Sequence, residues 1–525
     1  MRTIDYIDRG VEIDPDRAAI IDIEGDRRYS FREMQAVTHK IAWAMKKSGH
    51  EHQDPAAIYS PNHAGVLLCL LGLWRMGAIW IPVNARNAID ANIQYMNYVR
   101  CAFLFYHSQY REDAMMLKAN VPSIRTLVCL DRDDGEIPSL EHFIAGSGDE
   151  PYPDWGDAFG NLEDVVGIFP TGGTTGPAKG VIVNHLGWNT MLDIATNAWG
   201  RDITDPVCLV TAPLTHAAGP VSTAMLSVGA TNVIMPGFDA LGVLKNIEKY
   251  KVTNIYVPPT ALYALLEQPE LLDYDYASLR YMLLVGSPVS PDKMKRAVDV
   301  FGPCICQSYG QVESPMITTW LPPDVVAAAA AGDHPERLAS CGKPSYPVRV
   351  GIMDEEGHLL PVGERGEIVV RGPLVSKEYF EKPEATKEAR TFGWHHTGDV
   401  AYRDKDGFIY IVDRKKDMIV TGGYNVFSAE VEAAVMEMDK VAECAVIGVP
   451  HEKWGEAVTA IIVPAAKSGK LTPEEVISYC KKRLGGVKAP KTVQFWPEIP
   501  KTAANKMDKK AIRAKFWTGA DRNVH

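Results

Sequence analysis

The stretch Thr171-Gly-Gly-Thr-Thr-Gly-Pro-Ala-Lys-Gly180 packs four glycines, three threonines and one lysine into ten residues. Glycine lets backbone N–H groups turn toward an anion without a side-chain clash, threonine hydroxyls add donors, and lysine supplies a full charge. Such a loop suits a polyphosphate. It departs from the Walker loop, because Ala178 stands where a glycine must precede Lys179, and Gly180 replaces the Ser or Thr that would hold magnesium. Its flanks, Val165-Val-Gly-Ile-Phe169 and Gly180-Val-Ile-Val183, both read as strands, so the loop is expected to close a hairpin rather than open a helix. Alone, it would also suit an ordinary glycine-rich turn.

Outward from this loop, between about Asp14 and Val300, apolar β-branched runs such as Ala56-Ala-Ile-Tyr-Ser60 and Thr253-Asn-Ile-Tyr-Val257 alternate with amphipathic stretches such as 31–46. That alternation predicts α/β layers. From 348 to 420 the pattern changes to short strands at 348–353, 367–371, 400–403 and 408–412, an antiparallel meander. Past the charge run Arg414-Lys-Lys-Asp417, Ser428 is expected to cap a helix over 429–438, with strands at 445–449 and 457–463. Thr472-Pro-Glu-Glu475 then opens a helix reaching Leu484. The fold class is α/β: a large N-terminal domain of layered α/β subdomains plus the meander (1–413), followed by a small α+β domain (418–525). The alanine tract 327–331 reads as a helix end or solvated loop.

The 525 residues amount to three or four folding units at about 150 residues each. Hydrophobic content of 46% and charged content of 23% exclude disordered and fibrous classes. With 55 Lys plus Arg against 66 Asp plus Glu, the net charge of -11 argues against a nucleic-acid partner. The longest apolar run, 64–74, falls short of the roughly 20 residues a bilayer needs, so no integral membrane segment is expected. Acids at Asp5 and Asp8 interrupt any signal-peptide core. Nine cysteines without a C-x-x-C pair read as core thiols in a reducing cytoplasm.

Three further segments carry chemistry: Ser308-Tyr-Gly-Gln-Val-Glu313, Trp394-His-His-Thr-Gly-Asp399 and Pro500-Lys-Thr-Ala-Ala-Asn-Lys506. With the glycine loop, and in the same order along nearly the whole chain, they resemble the acyl-activating (adenylate-forming, AMP-binding) superfamily of acyl-CoA ligases, luciferases and peptide-synthetase adenylation domains. The resemblance implies that Thr171, Gly172, Gly173, Thr174, Thr175, Gly176 and Lys179 cradle the phosphates of ATP. It implies that Tyr309, between Ser308 and Gly310, flanks adenine, that Gln307 reads the adenine amino group, and that Gly286-Ser287-Pro288 walls the pocket. Glu313 would hold magnesium, an ion satisfied by one carboxylate plus phosphate and water oxygens. Asp399, an acceptor-only group, suits the ribose diol, with Arg414 beside it. Lys506 would bridge the acid's carboxylate and the α-phosphate, where charge develops. Two positions depart from the family pattern: Val312 replaces a phosphate-bonding Thr, and Asn505 a Gly. His395 and His396 invite a metal reading, but strand neighbours face opposite ways and no further ligand pattern accompanies them.

The same resemblance makes 414–417 a hinge pivoting on Lys416, about which a mobile small domain swings after adenylation. It would then turn Gly422, Gly423 and Tyr424 toward a thiol tunnel for coenzyme A. Gly448-Val-Pro-His-Glu-Lys-Trp-Gly-Glu456 further resembles a segment frequent in CoA ligases and favours CoA over a peptidyl carrier. His216, in Pro213-Leu-Thr-His-Ala-Ala-Gly219, would lie at the carboxylate entrance. Residues 213–225 contain no Asp or Glu to meet an ammonium group, which disfavours an amino acid. Trp188, Val257-Pro-Pro-Thr260, Val312 and Met316 are candidate walls of an apolar tunnel for a fatty, aryl or alicyclic acid.

The expected activity is ATP-dependent acyl-CoA ligation through an acyl-adenylate, with a small carboxylic acid and CoA as partners, in a monomer or homodimer. The alternatives are an enzyme of one half-reaction, transfer to a carrier protein, a luciferase-like oxygenase, and a non-catalytic nucleotide-binding regulator.

Overall fold

The computed structural model describes residues 1–154, 161–171, 178–200, 203–465, 471–502 and 507–517. The hairpin expected at the glycine loop is there: Val165–Thr171 and Lys179–Asn184 pair antiparallel, with Thr171 opposite Lys179. Residues 172–177 lie outside the described residues. The chain divides into two compact units, Met1–Val350 with Val370–His395, and Gly351–Val369 with His396–His525. By this grouping residues 414–417 and the meander fall in the second unit.

The first unit is the α/β part that the alternation predicted. Its seven-stranded sheet runs Glu378–Tyr379, Lys179–Asn184, Val165–Thr171, Ile79–Pro82, Pro55–Tyr59, Phe103–Tyr106, Thr126–Cys129. Its nine-stranded sheet centres on parallel strands Ile305–Gln311, Tyr281–Leu284, Asn254–Val257, Val207–Val210 and Thr231–Ile234. Parallel strands need crossover helices, and helices do separate them in sequence: Ala218–Leu226, Ala240–Tyr250, Pro259–Leu266 and Pro291–Phe301. Helix Phe31–Lys47 starts at Ser30, whose hydroxyl accepts from Glu33 N while the Glu33 carboxylate returns to Ser30 N. Every residue of helix Ala64–Met76 is buried, and all but Arg75, which pairs with Asp8, are apolar or glycine, as a helix enclosed on all sides requires. Among the described residues no helix is long and apolar enough to cross a membrane.

The second unit joins the meander, in sheet order Arg349–Met353, Gly366–Arg371, His395–Arg403, Ile409–Arg414, to a five-stranded sheet built on the hairpin Val441–His451 and Gly455–Pro464. Thr472 caps helix Pro473–Lys488 with the reciprocal bond to Glu475, as read; the break at Gly485, φ 81°, follows Leu484 directly. The Ser428 cap does not form. Ser428 is instead the first helical residue of Ser428–Met436, and the helix start is met by the buried Asp413 carboxylate, which accepts from the Ser428 hydroxyl at 2.8 Å and from Ala429 N at 3.3 Å. All nine cysteines are buried free thiols.

Candidate active site

In open α/β sheets ligands bind beyond the carboxyl ends of the strands. Val257, Leu284 and Gln307 stand at one level of three adjacent strands, and beyond that level come Gly286-Ser287-Pro288 and Tyr309. The segment that follows Val207–Val210 in the same sheet leads to His216, which is exposed and bonds through Nδ1 to the Thr215 carbonyl at 2.9 Å. Gly286 has φ 107°, a conformation that disfavours any side chain there. Gln307 is buried; its Nε2 donates to the Ser340 carbonyl at 2.9 Å, and its Oε1 has no partner among the described residues. An unpaired buried acceptor costs about 1–3 kcal/mol. An amino group such as adenine's would relieve it, so this residue fits the nucleotide role. Ser308 spends its hydroxyl on the Met316 carbonyl at 2.8 Å. Gly310 is fixed by packing, since a Cβ there would stand 2.6 Å from Met316 N.

Glu313 is 9% exposed and accepts a 2.8 Å hydrogen bond from the Tyr379 hydroxyl. Tyr379 sits opposite Val181 on the hairpin of the glycine loop, and Lys179 Nζ lies 5.0 Å over its ring. Tyr379 thus joins a cation and an acid that the sequence separates by more than a hundred positions. Burial, and then the Glu313 charge, push its phenol far above the ordinary range. The donor set suits magnesium only as a phosphate-bound ion. Among the described residues no group of three or more His, Cys, Asp or Glu could enclose a metal, and one buried carboxylate is what a phosphate- and water-ligated ion needs. Beside Val312, Gln311 Nε2 is a buried donor without a partner among the described residues.

In the second unit Asp399 lies opposite Arg414, with Nε 3.5 Å from Oδ1. The turn before it is held by Glu367, which accepts from Gly398 N at 2.9 Å and pairs with His396 at 3.1 Å. Gly422 and Gly423, at φ 58° and 81°, form the two-residue turn between Thr421 and Tyr424. That turn type requires positive φ at both positions, which accounts for the glycines independently of any ligand. Tyr424 is 62% exposed. Glu456 accepts from Val420 N at 2.8 Å and packs where a Cβ on Gly448 would stand, 2.7 Å away, so the Gly448…Glu456 segment braces this strand.

Lys506 and Asn505 lie outside the described residues, as do Gly172, Gly173, Thr174, Thr175 and Gly176. Residues flanking Lys506 are anchored: Lys501 pairs with Met507, Lys509 bonds Glu432 and the Ser428 hydroxyl at 2.7 Å each, and Arg513 pairs with Asp417 at 2.7 Å. Trp188 packs against Trp74, Trp80 and Phe169, with centroids 5.2, 6.1 and 5.6 Å away, as part of the core.

Residues 7–380 match the AMP-binding enzyme family, and 430–506 match the AMP-binding enzyme C-terminal domain. The chain belongs to the AMP-binding enzyme family. Among relatives of this AMP-binding enzyme, the feruloyl-CoA synthase of an Amycolatopsis species is 33% identical over 94% of the chain and 95% of the relative. Medium/long-chain-fatty-acid–CoA ligase FadD8 of Mycobacterium tuberculosis is 42% identical over 69% of the chain, a match spanning 63% of that relative. The amide bond synthetase McbA from Marinactinospora thermotolerans superposes with a TM-score of 0.87 at 27% identity, covering 98% of this chain and 100% of the other. The fold and the motif order make this an adenylate-forming enzyme of the acyl-CoA synthetase superfamily.

Sequence reading missed Tyr379, Glu367 and Gln311. The first two are joined to the motifs only by strand pairing across tens of residues, and a glutamine in the variable position of a motif carries no signal of its own.

Proposed function

We propose that this AMP-binding enzyme is an ATP- and magnesium-dependent acyl-CoA ligase for a fatty, aryl or alicyclic acid. The observation that carries the reading is Tyr379 linking Lys179 to Glu313, a cation and an acid held ready for a metal polyphosphate. A magnesium ion at Glu313 would offset phosphate charge. Lys179 and Arg414 add positive charge toward the phosphates, Asp399 accepts from the ribose hydroxyls, and Gln307 Oε1 takes the adenine amino group. His216 borders the acid's carboxylate. In the first half-reaction a carboxylate oxygen attacks the α-phosphorus, pyrophosphate leaves, and Lys506 stabilises the charge that develops. In the second, the CoA sulfur attacks the acyl carbon and AMP leaves with the bonding pair. Positioning carries both steps without a covalent enzyme intermediate. Lys416 is the proposed pivot between them, and Gly422, Gly423 and Tyr424 the strand facing the thiol.

Pyrophosphate and thioester formation across a panel of such acids, with and without CoA, tests the reading. Acid-dependent pyrophosphate release with thioester formation is expected. A second reading, adenylation followed by transfer to another acceptor such as an amine, is favoured by Val312 and by the similarity to an amide bond synthetase. It predicts acid-dependent pyrophosphate release without thioester.

A further inference from the structure

The helix Lys509–Ala514 has six residues, too few to hold its shape alone, so contacts from elsewhere must fix it. Ile512 supplies the apolar contact, fully buried among Ala445, Ile447, Ile461 and Ile499. Apolar packing is non-directional and leaves the rotation of so short a helix about its own axis loosely set. Lys509 and Arg513 stand four residues apart and project from one face. Lys509 bonds Glu432 and the Ser428 hydroxyl, and Arg513 Nη1 donates to Asp417 Oδ1 at 2.7 Å with both side chains of that pair largely buried. Burial alone would raise the Asp417 carboxyl, but Lys509, Arg513 and Lys416 hold it below the usual carboxylate range. A buried ion pair adds little net stability, because desolvation offsets the attraction; what it supplies here is a directional constraint on which groups meet.

Both ends of this contact lead to the site. Asp417 ends the single turn Lys415–Asp417, which Met418 N closes by donating to the Arg414 carbonyl at 3.1 Å, and Arg414 lies 3.5 Å from Asp399, the acid assigned to the ribose. At the other end, Asp508 accepts from Ala511 N at 3.0 Å to start the helix, and its own N–H donates to the Pro500 carbonyl at 2.8 Å. With the bridge between Lys501 and Met507, that bond closes the base of the segment containing Lys506. Arg513 therefore ties the base of that segment to the turn that carries Arg414, entirely within the second unit.

A charge that stabilises a transition state must be placed accurately, and an error of about 1 Å can cost 100-fold in rate. We propose that Arg513 is a positioning residue: through its ion pair with Asp417 it sets where Lys506 is delivered relative to the ribose and α-phosphate, and so acts on adenylation rather than on thioester formation. This role rests on the adenylation reading and deepens it by one residue.

The test compares the unsubstituted enzyme with Arg513→Met, which removes the charge, Arg513→Lys, which keeps it, Lys506→Ala, and Arg513→Met combined with Lys506→Ala. Two rates are read in each preparation. One is acid-dependent pyrophosphate release without CoA, using whichever of octanoic, cinnamic and cyclohexanecarboxylic acids the unsubstituted enzyme activates fastest. The other is thioester formation from CoA and the synthetic adenylate of that acid. Arg513→Met should lower kcat of release at least tenfold, with KM for ATP and for the acid within threefold, and should leave thioester formation within threefold. The ratio of the two rates does not depend on the folded fraction, so partial unfolding cannot imitate the result. Arg513→Lys should restore release to within threefold of the unsubstituted enzyme. In the Lys506→Ala background, Arg513→Met should cost less than twofold more, because a residue acting through Lys506 has nothing left to position. Equal loss in both half-reactions, unchanged release, no recovery in Arg513→Lys, or more than twofold further loss on top of Lys506→Ala would each overturn this role for Arg513 alone. No release from any of the three acids in the unsubstituted enzyme would defeat the adenylation reading for fatty, aryl and alicyclic acids, and this role with it.

Discussion

Tyr379 donates to Glu313 and lies beneath Lys179, so it positions the acid that is proposed to hold magnesium. Replacing it with Phe removes one hydrogen bond to a charged group, about 1.5–3 kcal/mol. Tyr379→Phe should lower kcat/KM for pyrophosphate release roughly tenfold or more and raise the magnesium concentration needed for half-maximal rate, which a magnesium titration reads directly. Glu313→Gln should cost more, and chelation of the metal should abolish release in every variant. At this scale the sequence was legible where a motif carries its chemistry within a few residues, as in Ser308–Glu313. It was silent on Tyr379, 66 residues from Glu313, because that contact is made by strand pairing. It misread Ser428, because the carboxylate that meets this helix start, Asp413, lies 15 residues upstream.

Elements are held by buried polar contacts as well as by apolar packing. Helix Thr3–Ile13 is tied to helix His185–Trp199 through Thr3, whose N–H donates to His185 Nδ1 at 3.0 Å and whose hydroxyl donates to Asn189 at 2.9 Å. Burial holds the His185 imidazole down at about 4, and its accepting nitrogen requires the neutral ring. The unfolded chain takes up this proton near pH 6.5 and the folded chain only near 4, so stability falls as pH drops through that window, by on the order of 3 kcal/mol. His185→Gln should flatten the melting temperature against pH between 6.5 and 4 relative to the unsubstituted chain. A second contact anchors the C-terminal helix Lys509–Ala514. Burial would lower the Lys509 ammonium, but Glu432, Asp413 and Asp417 together raise it. Lys509→Met leaves Glu432 buried without its cation, and about 3–5 kcal/mol of stability should be lost in denaturant unfolding of the second unit. Helices with local start signals, such as Thr472-Pro-Glu-Glu475, were readable to the residue. Strand ends were not: His395–Arg403 begins five residues before the predicted 400, because pairing partners rather than local propensity set where a ladder stops.

For the molecule as a whole, alternation of apolar runs gave the α/β class and the meander, since both patterns are periodic over many residues. Periodicity cannot report that the meander groups by compactness with the C-terminal sheet, because that grouping depends on contacts far apart in sequence. The proposed pivot at Lys416 has a specific consequence. Lys416→Pro, which restricts one backbone torsion, should slow thioester formation far more than pyrophosphate release, and comparing the two rates in one preparation would show it. The central claim, that acid activation through an adenylate precedes thioester formation, is tested most directly by pyrophosphate release in the unsubstituted enzyme and in Lys506→Ala. Release that depends on the acid, proceeds without CoA, and falls roughly 100-fold or more in the variant is the predicted result. Release that is independent of any acid, or unchanged in Lys506→Ala, would contradict it.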